Sequence, residues 1–129
     1  MSRDLAMLAW VSAFTIMLWL PYTLGRIGVY GLIPQILNRI DDEPIPAWAL
    51  RAKRAHYNAI ENLAPFAALV LTANAAGASN ETTAAACTVY FWARVVHYLG
   101  FTLGIPTVRT IAFTFGWLAM LAIFWQIIT

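Results

Sequence analysis

The sequence has little charge, a single cysteine and almost no bias of sign, and each shortage removes a class of function. Charged residues make up 11% of the 129 residues and hydrophobic residues 61%; an ordinary soluble domain carries about 25% charge. A chain this poor in charge cannot face water over most of its surface, so lipid is the expected solvent. The net charge of +2 is too small to suggest nucleic acid. The basic residues also sit beside apolar runs and do not form an exposed stripe. The lone Cys87 rules out a disulfide within the chain and a cysteine-built metal site. Lying in an apolar stretch, it reads as a small buried side chain more readily than as a reactive thiol. The two histidines and the acids make no closed ligand set, so no metal is expected. A glycine-rich phosphate loop and a Ser-His-Asp arrangement are also missing.

What is present is four apolar stretches, at about 5–30, 47–76, 82–100 and 107–128. Each meets the roughly 20-residue length of a spanning helix. Six Trp and five Tyr suit the membrane interface. The first stretch follows a mixed Arg3–Asp4 pair and continues toward Tyr30 without a small-residue cleavage site, so it reads as a retained span and not a signal peptide. Three consecutive acids, Asp41-Asp42-Glu43, and two prolines predict a solvated loop after the first stretch. Gly77 to Asn80 and Gly100 to Pro106 predict short turns, with Asn80 or Glu81 opening the third helix and Pro106 at the start of the fourth. Short turns make neighbours antiparallel. The expected fold is therefore an all-α integral membrane protein, one domain over residues 1–129, forming an up-down four-helix transmembrane bundle. Arg39, Arg51, Lys53 and Arg54 gather at the first loop and Arg94 and Arg109 toward the third, with only Arg3 opposite. Positive residues stay cytoplasmic, so the first and third loops are expected inside and both termini outside.

The second stretch carries polar groups where a bundle needs leucine. At about 100° per residue, Arg51, Arg54, Asn58, Glu61 and Pro65 fall within roughly 80° of one another. A charge such as Glu61 near the centre of a span costs about 2.5–3.5 kcal/mol, so it needs a partner. On the third stretch, Cys87, Tyr90, Arg94, His97 and Phe101 share a face, with Tyr98 at its edge. Arg109 opens the fourth, and Arg26 lies toward the cytoplasmic half of the first. This gives an arginine-rich polar pocket suited to a small ligand with carboxylates, which a guanidinium clamps with two hydrogen bonds. Glu61 and Asn58 suit an ammonium or amide of the same ligand. The competing interpretation is a structural ion-pair network in which Glu61 balances Arg54 or Arg94. His56 points away from the stripe and reads as an interhelical histidine, and Pro65 is expected to bend its helix.

The run Arg54-Ala-His56-Tyr57-Asn58-Ala-Ile-Glu61-Asn62-Leu-Ala-Pro65-Phe66 resembles the hallmark of the MAPEG superfamily, the membrane-associated proteins in eicosanoid and glutathione metabolism, in its microsomal glutathione transferase-like form. Ala93-Arg94-Val-Val-His97, followed by Gly100, Pro106 and Arg109, resembles that superfamily's passage from third to fourth helix. The resemblance covers all four stretches and is nearest to a short bacterial branch. It implies a homotrimer in a bacterial inner membrane, with sites between subunits near the cytoplasmic side and glutathione as ligand or co-substrate. It carries glutathione-binding roles onto Arg54, Asn58, Glu61 and Arg94, and a thiolate-stabilising catalytic role onto Arg109. Arg51, Arg26 and Tyr98 complete the expected ligand set. The partners implied are further copies of the chain, membrane lipid and a lipophilic small molecule. Two departures bear on chemistry: Phe101 stands where catalytic relatives carry Tyr, and the turn before Arg109 is one residue shorter. The activity implied is conjugation or reduction of lipophilic electrophiles. The alternatives are a non-catalytic lipid- or partner-binding scaffold, which Phe101 favours, and a small transporter, which the one-ended polar groups disfavour.

Overall fold

The computed structural model describes residues 1–37 and 44–129. The acidic segment Asp41-Asp42-Glu43, expected as a solvated loop, lies outside the described residues together with Arg39. The elements in order are α1 (Arg3–Met17), α2 (Trp19–Tyr30), α3 (Leu32–Leu37), α4 (Ala47–Ala75), α5 (Glu81–Thr102) and α6 (Pro106–Ile128). No strand occurs among the described residues.

Local chemistry explains where these helices begin and break. Ser2 caps α1, its Oγ accepting the Leu5 N–H at 3.3 Å. The first apolar run, expected as one helix, is interrupted at Leu18. Pro21 has no N–H to give the Met17 carbonyl, and its ring crowds that oxygen. The turn tightens there, with the Leu18 N–H bonding the Thr15 carbonyl at 3.2 Å. By contrast, α4 continues from Ala47 to Ala75 through Pro65. Pro65 still leaves the Glu61 carbonyl without its usual helical donor. A reciprocal box opens α5: the Asn80 side chain accepts the Thr83 N–H at 3.0 Å, and the Thr83 hydroxyl accepts the Asn80 N–H at 2.8 Å. Threonine here takes the place usually held by Glu or Gln. Pro106 begins α6, where a missing N–H costs nothing.

Helix α5 packs against α1, α4 and α6, and its pairing with α6 is the most extensive. The turn between them passes through Gly104 at φ 76°, a conformation that glycine adopts without strain. Gly100 makes the close approach possible, since a Cβ there would lie 2.8 Å from Val108 Cγ1. Two apolar clusters form along the long axis. One joins Val11, Phe66, Val70, Cys87, Tyr90 and Ile123, with Phe66 and Tyr90 stacked at 3.8 Å. The other seats Leu18, Tyr22 and Tyr98 on the small stripe Ala49, Ala52, Ala55 and Ala59 of α4. Among the described residues two stretches are long and apolar enough to cross a membrane, Arg3–Tyr30 at mean hydropathy 1.6 and Pro106–Ile128 at 1.9. The polar stripe of α4 and the Arg94–His97 pair of α5 make the other two helices less apolar.

The glycines of the α5–α6 contact give a test. Gly100→Ala should destabilise the purified protein by about 1–3 kcal/mol, the usual cost of overpacking. Gly116→Ala should be neutral or stabilising, because its added Cβ would meet Tyr90 only at 3.7 Å and alanine is the better helix former. Thermal unfolding in detergent compares them; equal midpoints would rule out close approach at Gly100.

Candidate functional site

A polar layer separates the two apolar clusters. At its centre is Arg94, 3% exposed. Its Nη2 donates to Asn58 Oδ1 at 2.6 Å and lies 3.4 Å from His97 Nδ1. Asn62 Nδ2 donates to the Asn58 carbonyl at 2.9 Å and to Asn58 Oδ1 at 3.3 Å. Asn58 therefore accepts from both sides, which fixes its amide with the oxygen toward Arg94. The Arg94 Nε is buried with no hydrogen-bond partner among the described residues.

Beside this layer lies a cavity of about 200 Å³ lined by Asn58, His97, Phe101, Arg109, Thr110 and Phe113. The Arg109 guanidinium sits over the Phe101 ring, 4.9 Å from its centroid. His97 meets the same ring edge-on at 5.7 Å. Phe101 thus holds Arg109 by its π face and offers no hydroxyl to a ligand. The cavity combines a fixed cation, an amide and aromatic walls, which suits a small anion carrying an apolar group.

The structure brings only some of the expected residues to this cavity. Asn58 and Arg109 line it, and Arg94 lies behind Asn58. Arg94, one of the two cations offered as a balance for Glu61, bonds Asn58. Arg54 and Glu61 are exposed on α4, one turn to either side of Asn58 on the same face. Arg51 is engaged elsewhere: its Nε donates to the Thr102 carbonyl at 3.0 Å, tying the start of α4 to the end of α5. Arg26 is buried on α2 with its guanidinium 5.4 Å from the Tyr30 ring. On that same side Tyr22 Oη lies 3.0 Å from His56 Nδ1. His56 and Asn58 are roughly 200° apart around α4, so Arg26 and His56 belong to the α2–α4 contact. Tyr98 packs in the second apolar cluster, edge-on to Phe14 at 6.0 Å. Asn62, Thr110 and Phe113 escaped sequence reasoning as site residues. Asn62 was detectable as the i+4 neighbour of Asn58, and Phe113 as that of Arg109.

The polar layer predicts a coupling. Asn58→Ala should cost about 1.5–3 kcal/mol in thermal or denaturant unfolding, the worth of a hydrogen bond to a charged group. In an Arg94→Met background the same change should cost much less. Equal costs in both backgrounds would mean that the two side chains are not coupled.

The geometry can be set beside known families. No curated protein and no solved structure matches the chain. The model of the MAPEG family matches residues 6–129, a range that takes in the Asn58–Arg94 layer, the Arg109 cavity and the exposed Arg54–Glu61 face. On that match the chain belongs to the MAPEG family and is an integral membrane protein of that kind.

Proposed function

We propose that this protein is a four-helix transmembrane bundle that assembles as a homotrimer, binds glutathione or a similar small thiol, and conjugates or reduces lipophilic electrophiles. The observation that carries the proposal is the pair Arg54 and Glu61, charges exposed on a helical protein whose outer surface is largely apolar, flanking the Asn58–Arg109 cavity. Charges on the surface of a spanning helix need a partner outside their own chain. A second copy laid along α4 would cover them and close the cavity into a site between subunits.

In this reading Arg54 clamps a ligand carboxylate, while Glu61 and Asn58 take its ammonium and amide groups. The Glu61 carbonyl, freed by Pro65, adds an acceptor at the same height. Arg109 stabilises the thiolate, since a neighbouring guanidinium favours the ionised sulfur. The thiolate then attacks the electrophilic carbon: the sulfur lone pair forms the S–C bond and the leaving group departs with its bonding pair. The electrophile arrives from the lipid. In this reading the protein lies in a bacterial inner membrane, its Arg51, Lys53, Arg54 and Arg109 end on the cytoplasmic side and both termini outside.

Phe101 favours the second reading, a scaffold that binds lipid or a partner without catalysis. Thermal unfolding of the detergent-purified protein with and without millimolar glutathione separates the two. Glutathione should raise the midpoint, the fold gaining about 2.7 kcal/mol at a hundredfold excess over Kd, and Glu61→Gln should abolish the rise. Arg109→Ala should keep the fold while lowering turnover of an electrophile by about 10²–10³-fold, the cost of losing one preorganised charge-stabilising group. No glutathione shift in the wild type would sustain the scaffold instead.

A further inference from the structure

The end of the molecule away from the Asn58 cavity carries a second polar site. Asp4 lies in the first turn of α1 and is 3% exposed. Its Oδ2 is buried with no hydrogen-bond partner among the described residues. A carboxylate held this way is costly, and the positive end of α1 offsets only part of the cost. Asp4 lines a cavity of about 230 Å³ with Ser2, Arg3, Ser79, Asn80 and Glu81. The Ser79 hydroxyl is likewise buried without a partner. The Asn80 amide is already spent on Thr83 and Gln126. The lining thus sets two carboxylates and the Ser79 hydroxyl beside a single cation, Arg3, an excess of oxygen acceptors that suits a further cation rich in N–H donors.

Arg3 lines this cavity and also a larger groove between α1 and α5. That groove measures about 800 Å³ and is walled by Met7, Trp10, Val89 and Trp92. The sequence of chemistry is therefore acid, then cation, then apolar trough. A zwitterionic phospholipid presents the complementary sequence of ammonium, phosphate and acyl chain. Thr88, Val89 and Trp92 also border an apolar groove of about 480 Å³ on the other flank of α5, against α6. Two grooves meeting along one ridge fit two chains. Helix α5 meets α4 through Tyr90 and Arg94, so the Val89–Trp92 ridge is turned away from α4. It stays open to lipid when the α4 stripe is covered by another copy. The site requires only that the chain lie in a membrane and is independent of glutathione.

The geometry points to a binding site for a phospholipid whose headgroup bears a primary ammonium. The ammonium donates to Asp4 Oδ2, Glu81 and Ser79, the phosphate pairs with Arg3, and the chains lie along α5. A trimethylated headgroup has no N–H and cannot satisfy Asp4.

The test uses the whole protein, delipidated in detergent and titrated with phospholipids of identical chains bearing ethanolamine, choline or glycerol headgroups. Thermal stability is read out. The ethanolamine lipid should act at about tenfold lower concentration than either other lipid, the equivalent of one hydrogen bond to a charged group. Asp4→Asn should erase that preference and leave the glutathione response unchanged; Glu81→Gln, on the exposed side of the site, should weaken it. The headgroup comparison on the wild type stands even if Asp4→Asn fails to fold. Equal stabilisation by the choline lipid would overturn the proposal. So would a preference for the glycerol lipid, which would mean phosphate recognition by Arg3 alone. Calcium giving the same shift without lipid would overturn it in favour of a metal site.

Discussion

The hydrogen bond between Arg94 and Asn58 is the constraint around which the rest of the molecule is arranged. A guanidinium that is 3% exposed among apolar helices carries a large desolvation cost, which falls only if its donors find acceptors. Asn58 supplies one at 2.6 Å, and Asn62 holds Asn58 in the orientation that makes this possible. That contact sets the register of α4 against α5. The Phe66–Tyr90 stack then falls on one side of the polar layer, and the cluster of Tyr22 and Tyr98 with the α4 alanines on the other. The close approach of α6 at Gly100 brings Arg109 over Phe101 and encloses the cavity. A shift of α4 by a single turn would break both apolar clusters along with the bond.

The two polar sites solve the same problem differently. Near Asn58 the buried charge is a cation with its acceptor built in, and the uncovered charges Arg54 and Glu61 lie on the surface. At the tip of α1 the buried acid is Asp4, and among the described residues no donor reaches its Oδ2. The first arrangement holds its own geometry before a ligand comes. The second leaves an acceptor waiting, so what binds there also stabilises the fold. The apolar troughs beside α5 give that tip a continuous path into the lipid phase.

Much of the architecture was legible in the residues because helix periodicity and turn chemistry are local. The Arg54–Asn58–Glu61 spacing put three polar groups on one face, and the motif around them named the family correctly. Periodicity shows which residues share a face but not which neighbouring helix that face meets. Arg94, a candidate balance for Glu61, binds Asn58, and Arg26, an expected ligand arginine, lies buried on α2 beside Tyr30. Arg51 read as a ligand arginine because nothing local shows that it reaches the Thr102 carbonyl, at 3.0 Å. Pro21 was overlooked as a breaker because the apolar run continues across it. Asp4 stands in the sequence only as half of the mixed Arg3–Asp4 pair before the first apolar run. Its burial arises only when α1 packs against the start of α5.

The interruption at Leu18 has a mechanical consequence. A helix resists bending because each bend must stretch its ladder of hydrogen bonds. Where Pro21 has removed the rung at Met17, there is none to stretch. The first membrane-length segment is thus two stiff rods, α1 and α2, joined at a compliant point. Helix α1 is anchored by Val11 in one apolar cluster and α2 by Tyr22 in the other. A tilt of α2 would pivot at Leu18 while Val11 keeps its seat, with Phe14 of α1 and Tyr22 of α2 meeting in the second cluster.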